Sequence, residues 1–192
     1  IAELLEESLS PWIDDPESVT SVLDMCTGSG CLAILAAETF PNAAVTGADI
    51  SPDALDVAKI NRTRFGLDDD LELVQTDLFT NLKDRKFDLI ISNPPYVTEE
   101  AMEELPAEYR HEPALALGAG RDGMDILRRM MPVLADYLTD DGMAVIEIGD
   151  GREAFEALWP TLPVTWLTTS GGDDMVFLVK RSDLKAYFHQ TH

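Results

Sequence analysis

Short apolar runs alternate with amphipathic stretches along most of this chain. Strands buried on both faces of a sheet are almost continuously hydrophobic, whereas a helix that covers a sheet repeats its apolar residues every three or four positions. By these criteria the sequence predicts seven strands, at residues 21–26, 44–49, 71–75, 86–92, 143–148, 164–168 and 175–180. It predicts helices at residues 1–10, 31–38, 52–65, 98–104, 122–138, 150–158 and 182–192.

The helix that follows the second strand has the clearest boundaries. Ser51 can cap it, Pro52 suits its first turn, and Gly66 can end it. The residues that follow helical spacing within it are Ala54, Val57, Ala58, Asn61 and Phe65.

The order of the elements predicts the fold class. Strands that alternate with helices favour an α/β fold, in which a Rossmann-like, doubly wound parallel sheet has helices on both faces. Asp140-Asp141-Gly142 predicts a turn into the fifth strand. Gly171-Gly172-Asp173-Asp174 predicts a tight turn between the last two strands, so the last strand of the seven is expected to be antiparallel.

Asn93-Pro94-Pro95-Tyr96 follows the apolar fourth strand. Prolines have no N–H to donate, so the two prolines end sheet pairing and create a rigid corner at the carboxyl end of the strand. Ligands of open α/β sheets bind at that edge. A side-chain amide and free backbone carbonyls at such a corner can accept both hydrogens of an NH2 group, although Asn-Pro and Pro-Pro are also common turn formers.

The composition excludes several classes of function. The chain has 192 residues, 14 Lys and Arg against 36 Asp and Glu, and a formal net charge of −22. This charge argues against direct DNA binding, which needs a basic surface, but it allows a basic protein partner. No apolar stretch is long enough for a membrane span. The two cysteines, Cys26 and Cys31, and the three histidines show no metal-ligand spacing, so we expect no metal site and reduced thiols in a cytoplasmic protein.

The loop after the first strand predicts a site for an adenosine cofactor. Gly28-x-Gly30-x-x-Ala33 fits the dinucleotide fingerprint, and Asp49 follows at the distance expected of an acid that binds ribose hydroxyls. Because Ser51-Pro52 follows it, Asp49 can instead act as a helix cap.

Two features favour S-adenosylmethionine over NAD as this cofactor. Asp24 lies inside the first strand, where its carboxylate can reach a cationic ammonium group, and the last strand pair is antiparallel. Asp77 follows the third strand and can accept from the adenine amine, with Leu78 covering the ring, although Asp77 can also be a turn cap.

Three motifs resemble one known family: Asp24-Met25-Cys26-Thr27-Gly28-Ser29-Gly30, Asp49-Ile50-Ser51-Pro52 and Asn93-Pro94-Pro95-Tyr96. They are similar to those of the HemK/PrmC/PrmB family of class I methyltransferases, which methylate glutamine side-chain amides. One branch acts on the Gly-Gly-Gln motif of peptide-chain release factors. The other, PrmB, acts on a large-subunit ribosomal protein of the L-three class, and residues 108–113 together with Gly171-Gly172 resemble this second branch. Cys26 stands where the family has its first loop glycine, and PrmB sequences tolerate cysteine there.

The resemblance implies the activity and the site residues. It implies S-adenosyl-L-methionine as cofactor, S-adenosyl-L-homocysteine as product and a basic ribosomal protein as substrate. The cofactor-binding residues that it implies are Asp24, Cys26, Thr27, Gly28, Ser29, Gly30, Asp49, Ile50, Asp77, Leu78 and Asn93. Asn93, Pro94 and Tyr96 are the expected catalytic residues, and Asn93, Pro94, Pro95 and Tyr96 the expected substrate-binding residues. The alternatives are methylation of the Gly-Gly-Gln glutamine of release factors, a methyltransferase of adenine amines and a non-catalytic ribosome-assembly module.

The resemblance also implies the domain organisation. Residues 1–192 are expected to form the catalytic domain, with a linker helix and turn at 1–20. Because the chain begins at Ile1 rather than Met, we expect it to be a fragment without the family's N-terminal helical domain. Residues 97–119 are rich in acids, and we expect them to help dock the substrate protein, with Arg110 and His111 anchoring their inner end.

Overall fold

Seven strands form one sheet in a computed structural model that describes residues 1–96 and 122–189. The strands are β1 (Ser21–Met25), β2 (Ala44–Asp49), β3 (Leu71–Gln75), β4 (Phe87–Ser92), β5 (Leu138–Glu147), β6 (Thr165–Thr169) and β7 (Gly172–Lys180). The helices are α1 (Ala2–Glu6), α2 (Cys31–Thr39), α3 (Pro52–Arg64), α4 (Asp125–Leu134), α5 (Arg152–Leu158) and α6 (Arg181–Phe188).

The strand order is β3-β2-β1-β4-β5-β7-β6. The strands from β3 to β5 are parallel, whereas β7 runs antiparallel to both β5 and β6. The predicted doubly wound α/β sheet with an antiparallel last strand is therefore confirmed. Strand order reverses between β1 and β4, and ligands of such sheets bind at the carboxyl ends of the strands beside this point.

Helices cover both faces of the sheet, and each face has its own cluster of buried apolar side chains. One cluster contains Leu5 of α1 and Ile34 of α2. The other contains Met130 of α4, Phe155 of α5 and Leu184 of α6. This two-sided packing buries the central strands, which explains their nearly continuous hydrophobicity.

The predicted turn at Asp140–Gly142 is wrong, because β5 continues through these residues. Phe87 pairs with Leu138 and Leu89 pairs with Met143, so β5 has extra residues between the two pairs. A β-bulge of this kind absorbs extra residues without ending the strand. Asp140, Asp141 and Gly142 are therefore residue types typical of a turn, but here they lie within a bulged strand.

The turn between β6 and β7 is tighter than predicted. Thr169 pairs with Gly172, which leaves Ser170 and Gly171 as the turn. Asp173 and Asp174 already belong to β7, where both are exposed. Polar residues at the exposed end of a hairpin can stay in the strand because their side chains remain in water.

The spacing in α3 indicated only part of its buried face. Leu55 and Ala58 are buried, but Val57 and Phe65 are 47% and 55% exposed. The capping prediction is confirmed, because the Ser51 hydroxyl accepts the Ala54 N–H at 3.2 Å.

Several helices are shorter than predicted. Helix α1 ends at Glu6, and α4 begins at Asp125 and ends at Leu134, followed by a 3₁₀ turn at Ala135–Tyr137. The predicted helix at 98–104, the acidic segment at 97–119, and its residues Arg110 and His111 lie outside the described residues.

Candidate functional site

The three motifs follow strands that end side by side. Met25 of β1 pairs with Ala48 of β2 on one side and with Ser92 of β4 on the other. Cys26 directly follows β1, Asp49 is the last residue of β2, and Asn93 directly follows β4. The register therefore brings the glycine loop, the acid after it and the proline corner to one edge of the sheet.

The glycine loop has the left-handed backbone that its composition predicts. Gly28 and Gly30 have φ of +56° and +83°. A Cβ on Gly28 would meet no atom within 4 Å, whereas a Cβ on Gly30 would lie 3.2 Å from the Cβ of Ala58 in α3. Gly30 thus permits close packing of α3, while the space beside Gly28 is open to a ligand.

Asp49 holds this loop. Its Oδ2 accepts the backbone N–H of Gly28 at 2.8 Å, and its Oδ1 accepts the backbone N–H of Ser51 at 2.9 Å. Asp49 is therefore not the cap of α3, which is Ser51; it bonds the backbone of that cap residue. An ionised carboxylate has about four lone-pair sites, so two bonds leave capacity for ribose hydroxyls.

Asn61 of α3 also supports the loop, a role that the sequence analysis missed. Its side-chain NH2 donates to the Ser29 carbonyl at 2.9 Å. The sequence contained one signal for this role: Asn61 is a polar residue at helical spacing among apolar ones on α3, and its side chain can form hydrogen bonds with backbone groups. Ile50, next to Asp49, is 48% exposed at the same edge.

Asp24 is fully buried in β1. The Thr27 hydroxyl donates to its Oδ2 at 2.5 Å, and within the described residues its Oδ1 has no hydrogen-bond partner. Burial raises the pKa of Asp24 to about 7, against the opposing effect of the Thr27 bond. The nearby backbone N–H of Ala33 also lowers this pKa, but it is not positioned to form a hydrogen bond with Oδ1.

Cys26 has a left-handed backbone, with φ of +62°. A glycine adopts this conformation without steric cost, which accounts for the glycine that the family resemblance leads one to expect there. Burial raises the pKa of the Cys26 thiol to about 12, and the charges of Asp49 and Asp24 contribute. The thiol is therefore neutral at physiological pH.

Asp77 lies in an ion pair that the sequence did not indicate. One guanidinium nitrogen of Arg129 in α4 lies 2.8 and 2.7 Å from its two carboxylate oxygens. Leu78, with φ of +50°, is only 9% exposed and belongs to the core cluster under α4. The Asp77 carboxylate is exposed after β3, whereas most of the Leu78 side chain is buried in the core.

The proline corner presents Asn93 to solvent. Asn93 is exposed, Pro94 is buried, and Pro95 and Tyr96 are half-buried. The Ser92 hydroxyl donates to the Met25 carbonyl at 2.7 Å and so ties the end of β4 to the end of β1. The Asn93 amide therefore projects from a firmly held strand end beside the glycine loop.

These features fit a cofactor that carries adenosine and an amino acid. The unpartnered Oδ1 of Asp24 is an acceptor for an ammonium group, and the open side of Gly28 allows close backbone approach. In the described part of the chain, no cluster of three or more metal-ligating side chains occurs. Nor does any helix there have the length and apolarity needed to cross a bilayer.

The chain matches the family model "Methyltransferase small domain" over residues 4–109. It is 52% identical over 193 residues to a protein of Burkholderia pseudomallei described as ribosomal protein uL3 glutamine methyltransferase, covering 97% of this chain and 63% of the relative. Proteins of the same description from Neisseria meningitidis and Francisella tularensis are 50% and 44% identical, covering 96% and 97% of this chain and 60% of each relative. The chain thus spans less than two thirds of the length of these curated relatives.

Solved structures share the fold. A ribosomal protein L11 methylase from Lactobacillus delbrueckii superimposes with a TM-score of 0.62 at 23% identity, covering 93% of this chain and 76% of that one. A methyltransferase from Pyrococcus furiosus also has a TM-score of 0.62, at 16% identity, covering 85% of this chain and 75% of that one.

Proposed function

This chain belongs to the family of small methyltransferase domains, and from that membership we propose that it transfers a methyl group from S-adenosylmethionine to a glutamine side-chain amide of ribosomal protein uL3. The relatives named for this activity support the choice of substrate, since they are 44–52% identical to almost the whole chain. The product cofactor is S-adenosylhomocysteine.

The observation that carries the proposal is the position of Asn93. It is exposed at the carboxyl end of β4, and the preceding Ser92 is bonded to β1 directly before the glycine loop. A group that accepts hydrogen bonds from an amide NH2 therefore lies next to the residues suited to an adenosyl cofactor.

Amide nitrogens are poor nucleophiles because their lone pair is delocalised into the carbonyl. S-adenosylmethionine supplies a methyl group on a positively charged sulfur. In the proposed reaction the Asn93 side-chain oxygen and the Pro94 carbonyl each accept one N–H of the glutamine amide. Holding both hydrogens orients the nitrogen and stabilises the positive charge that it gains. The nitrogen gains a methyl group and releases one proton to water.

The remaining residues of the proposed site bind the cofactor or exclude water. Asp24 would accept a hydrogen bond from the ammonium group of the cofactor, Asp49 from the ribose hydroxyls, and Asp77 from the adenine amine. The residues that line the loop are Cys26, Thr27, Ser29 and Ile50. Pro95 and Tyr96 flank the acceptor glutamine and exclude water. The net charge of −22 favours a basic ribosomal protein over DNA as partner. Since ribosomal proteins are made in the cytoplasm, we place the reaction there.

The proposal is tested with the whole protein, purified uL3 and methyl-labelled S-adenosylmethionine. We expect one methyl group on one glutamine of uL3, located by peptide mass spectrometry, and none with the Asn93→Ala variant. Methylation of a release factor instead of uL3 would replace the proposed substrate. Methylation of neither protein would refute protein-glutamine transfer.

A further inference from the structure

The loop that follows β5 passes directly against the ring of Tyr96. Gly149 in this loop has φ of +53°. A Cβ at this position would lie 2.6 Å from Cε2 and 2.8 Å from Cδ2 of Tyr96. Since Cβ atoms do not approach other heavy atoms below 3.0 Å, any larger residue at this position must displace either the ring or the loop.

A second glycine restricts the backbone of the same tyrosine. Gly123, just before α4, has φ of +74°, and a Cβ on it would lie 2.5 Å from the carbonyl oxygen of Tyr96. Two different elements of the fold, the β5–α5 loop and the turn before α4, therefore hold Tyr96 from two sides.

The polar end of Tyr96 also has a neighbour. The carboxylate of Glu147, the last residue of β5, is near enough to the Tyr96 hydroxyl to act on it through its charge, while its Oε2 accepts a hydrogen bond from the amino group of Ile1 at 3.3 Å. Burial raises the pKa of Tyr96, and the negative charges of Glu147 and Asp150 raise it further, so the hydroxyl stays protonated.

We propose that Gly149, assisted by Gly123 and Glu147, is a positioning residue that fixes the Tyr96 ring and thereby sets the width of the acceptor pocket. Tyr96 stands three residues after Asn93 on the rigid proline corner, and the proposed acceptor opening has the Tyr96 ring and the Asn93 amide as two of its walls. A ring held by Gly149 leaves an opening for the unbranched stem of a glutamine. This inference rests on the proposed function, because it concerns the same acceptor.

The first test compares Gly149→Ala with Gly66→Ala in the whole protein. Gly66 has φ of +70°, and a Cβ on it would meet nothing within 4 Å, so it reproduces the backbone conformation of Gly149 without a clash. A displacement of about 1 Å near reacting groups can cost about a hundredfold in rate. We expect kcat/KM for uL3 to fall by that order in Gly149→Ala only, with equal cofactor Kd in both variants and both fully folded at the assay temperature. Equal activity of the two variants would overturn the role of Gly149.

The second test asks whether Glu147 acts through Tyr96. Glu147→Ala should lower kcat/KM for uL3, whereas Glu147→Gln, which keeps an acceptor oxygen, should restore most of it. In a Tyr96→Phe background, Glu147→Ala should have no further effect, because the hydroxyl on which the Glu147 carboxylate acts is already absent. Additive losses would show that Glu147 acts elsewhere.

A third measurement does not depend on activity. In protein labelled with ¹³C-tyrosine, with Tyr96→Phe used for assignment, Glu147→Gln should lower the pKa of Tyr96 by removing a nearby negative charge. Gly149→Ala should shift the Tyr96 ring signals, and Gly66→Ala should not. An unchanged Tyr96 spectrum in these variants refutes the contacts. A parent protein that methylates no glutamine refutes the proposed function, whatever the spectra show.

Discussion

The carboxylate of Asp49 lies 2.8 Å from the backbone nitrogen of Gly28, so the end of β2 holds the loop that follows β1. The same carboxylate is the proposed ligand of the ribose. In the proposed site, one side chain thus both shapes the glycine loop and binds the cofactor.

Asp49→Ala should weaken S-adenosylmethionine binding by tenfold to a hundredfold, because it removes charge-assisted hydrogen bonds worth about 1.5–3 kcal/mol. Titration calorimetry measures the change. The control is Asp56→Ala, which removes another acid in the same part of the fold, 69% exposed and, among the described residues, paired with Lys59 alone. Unchanged affinity in Asp49→Ala, or tight NAD binding by the parent, would exclude the site.

Asp24 should make the stability of the ligand-free protein depend on pH. Its pKa is about 7 in the folded state, against about 4 in an unfolded chain, so the folded state binds the extra proton between these values. Protonated Asp24 makes its full contribution to the free energy of unfolding below pH 4, and this contribution is lost as pH rises to 7. Asn at this position is neutral throughout. The stability of Asp24→Asn relative to the parent should therefore rise by a few kcal/mol between about pH 4 and 7 in denaturant titrations. A pH-independent difference would contradict the raised pKa.

Cofactor binding should respond to pH through the same carboxyl group. An ammonium group prefers the ionised form of Asp24, so affinity for S-adenosylmethionine should fall as pH drops below about 7. Calorimetry in buffers of different ionisation enthalpy should show proton release on binding at pH 6. Asp24→Asn should bind weakly and without proton release. Equal proton release in parent and variant would assign it to another group.

Asn93→Ala should abolish methyl transfer and leave the fold and most of the cofactor affinity intact, since Asn93 is exposed and acts mainly on the acceptor. A single-turnover assay with bound cofactor measures this loss directly. Asn42→Ala is the matched control, because within residues 1–96 and 122–189 the side-chain amide of Asn42 bonds just the Glu17 carbonyl, at the surface. A near-normal transfer rate in Asn93→Ala would refute the amide clamp.

Asp77 and Arg129 can be separated by a pair of variants. Both side chains of this ion pair are about half exposed, so breaking it should change stability by less than about 1 kcal/mol. If Asp77 accepts from adenine, Asp77→Ala should weaken cofactor binding, whereas Arg129→Ala should leave most of it in place. Equal losses in the two variants would mean that the ion pair itself, rather than the contact with adenine, matters.

The two cysteines should differ in reactivity. Thiolates react with alkylating reagents, and burial raises the pKa of Cys26 to about 12, whereas Cys31 is exposed. At pH 8 iodoacetamide should modify Cys31 and spare Cys26 in the folded protein, as read by mass spectrometry. Both should react in denaturant. Rapid native labelling of Cys26 would show that its thiol is accessible.

The sequence by itself determined the fold class and the edge of the sheet at which the site forms. Alternation of apolar runs with amphipathic stretches, the capping residue Ser51 and the prolines at 94 and 95 are local signals, because they act through dihedral preferences and hydrogen bonds within a few residues. The placement of Gly28 and Asp49 at one edge followed from these signals, since parallel strands end on the same side.

Only the tertiary structure decided the contacts between elements that are distant in the chain. The pairing of Asp77 with Arg129, the Gly149 backbone against the Tyr96 ring and the burial that raises the pKa of Asp24 all depend on packing between elements. The same is true of the β5 bulge at Gly142 and of the exposed side of α3. Composition can show that a glycine permits a left-handed backbone or that an acid can be charged. Which group comes to lie against it depends on strand register and helix packing, and those are properties of the whole folded chain.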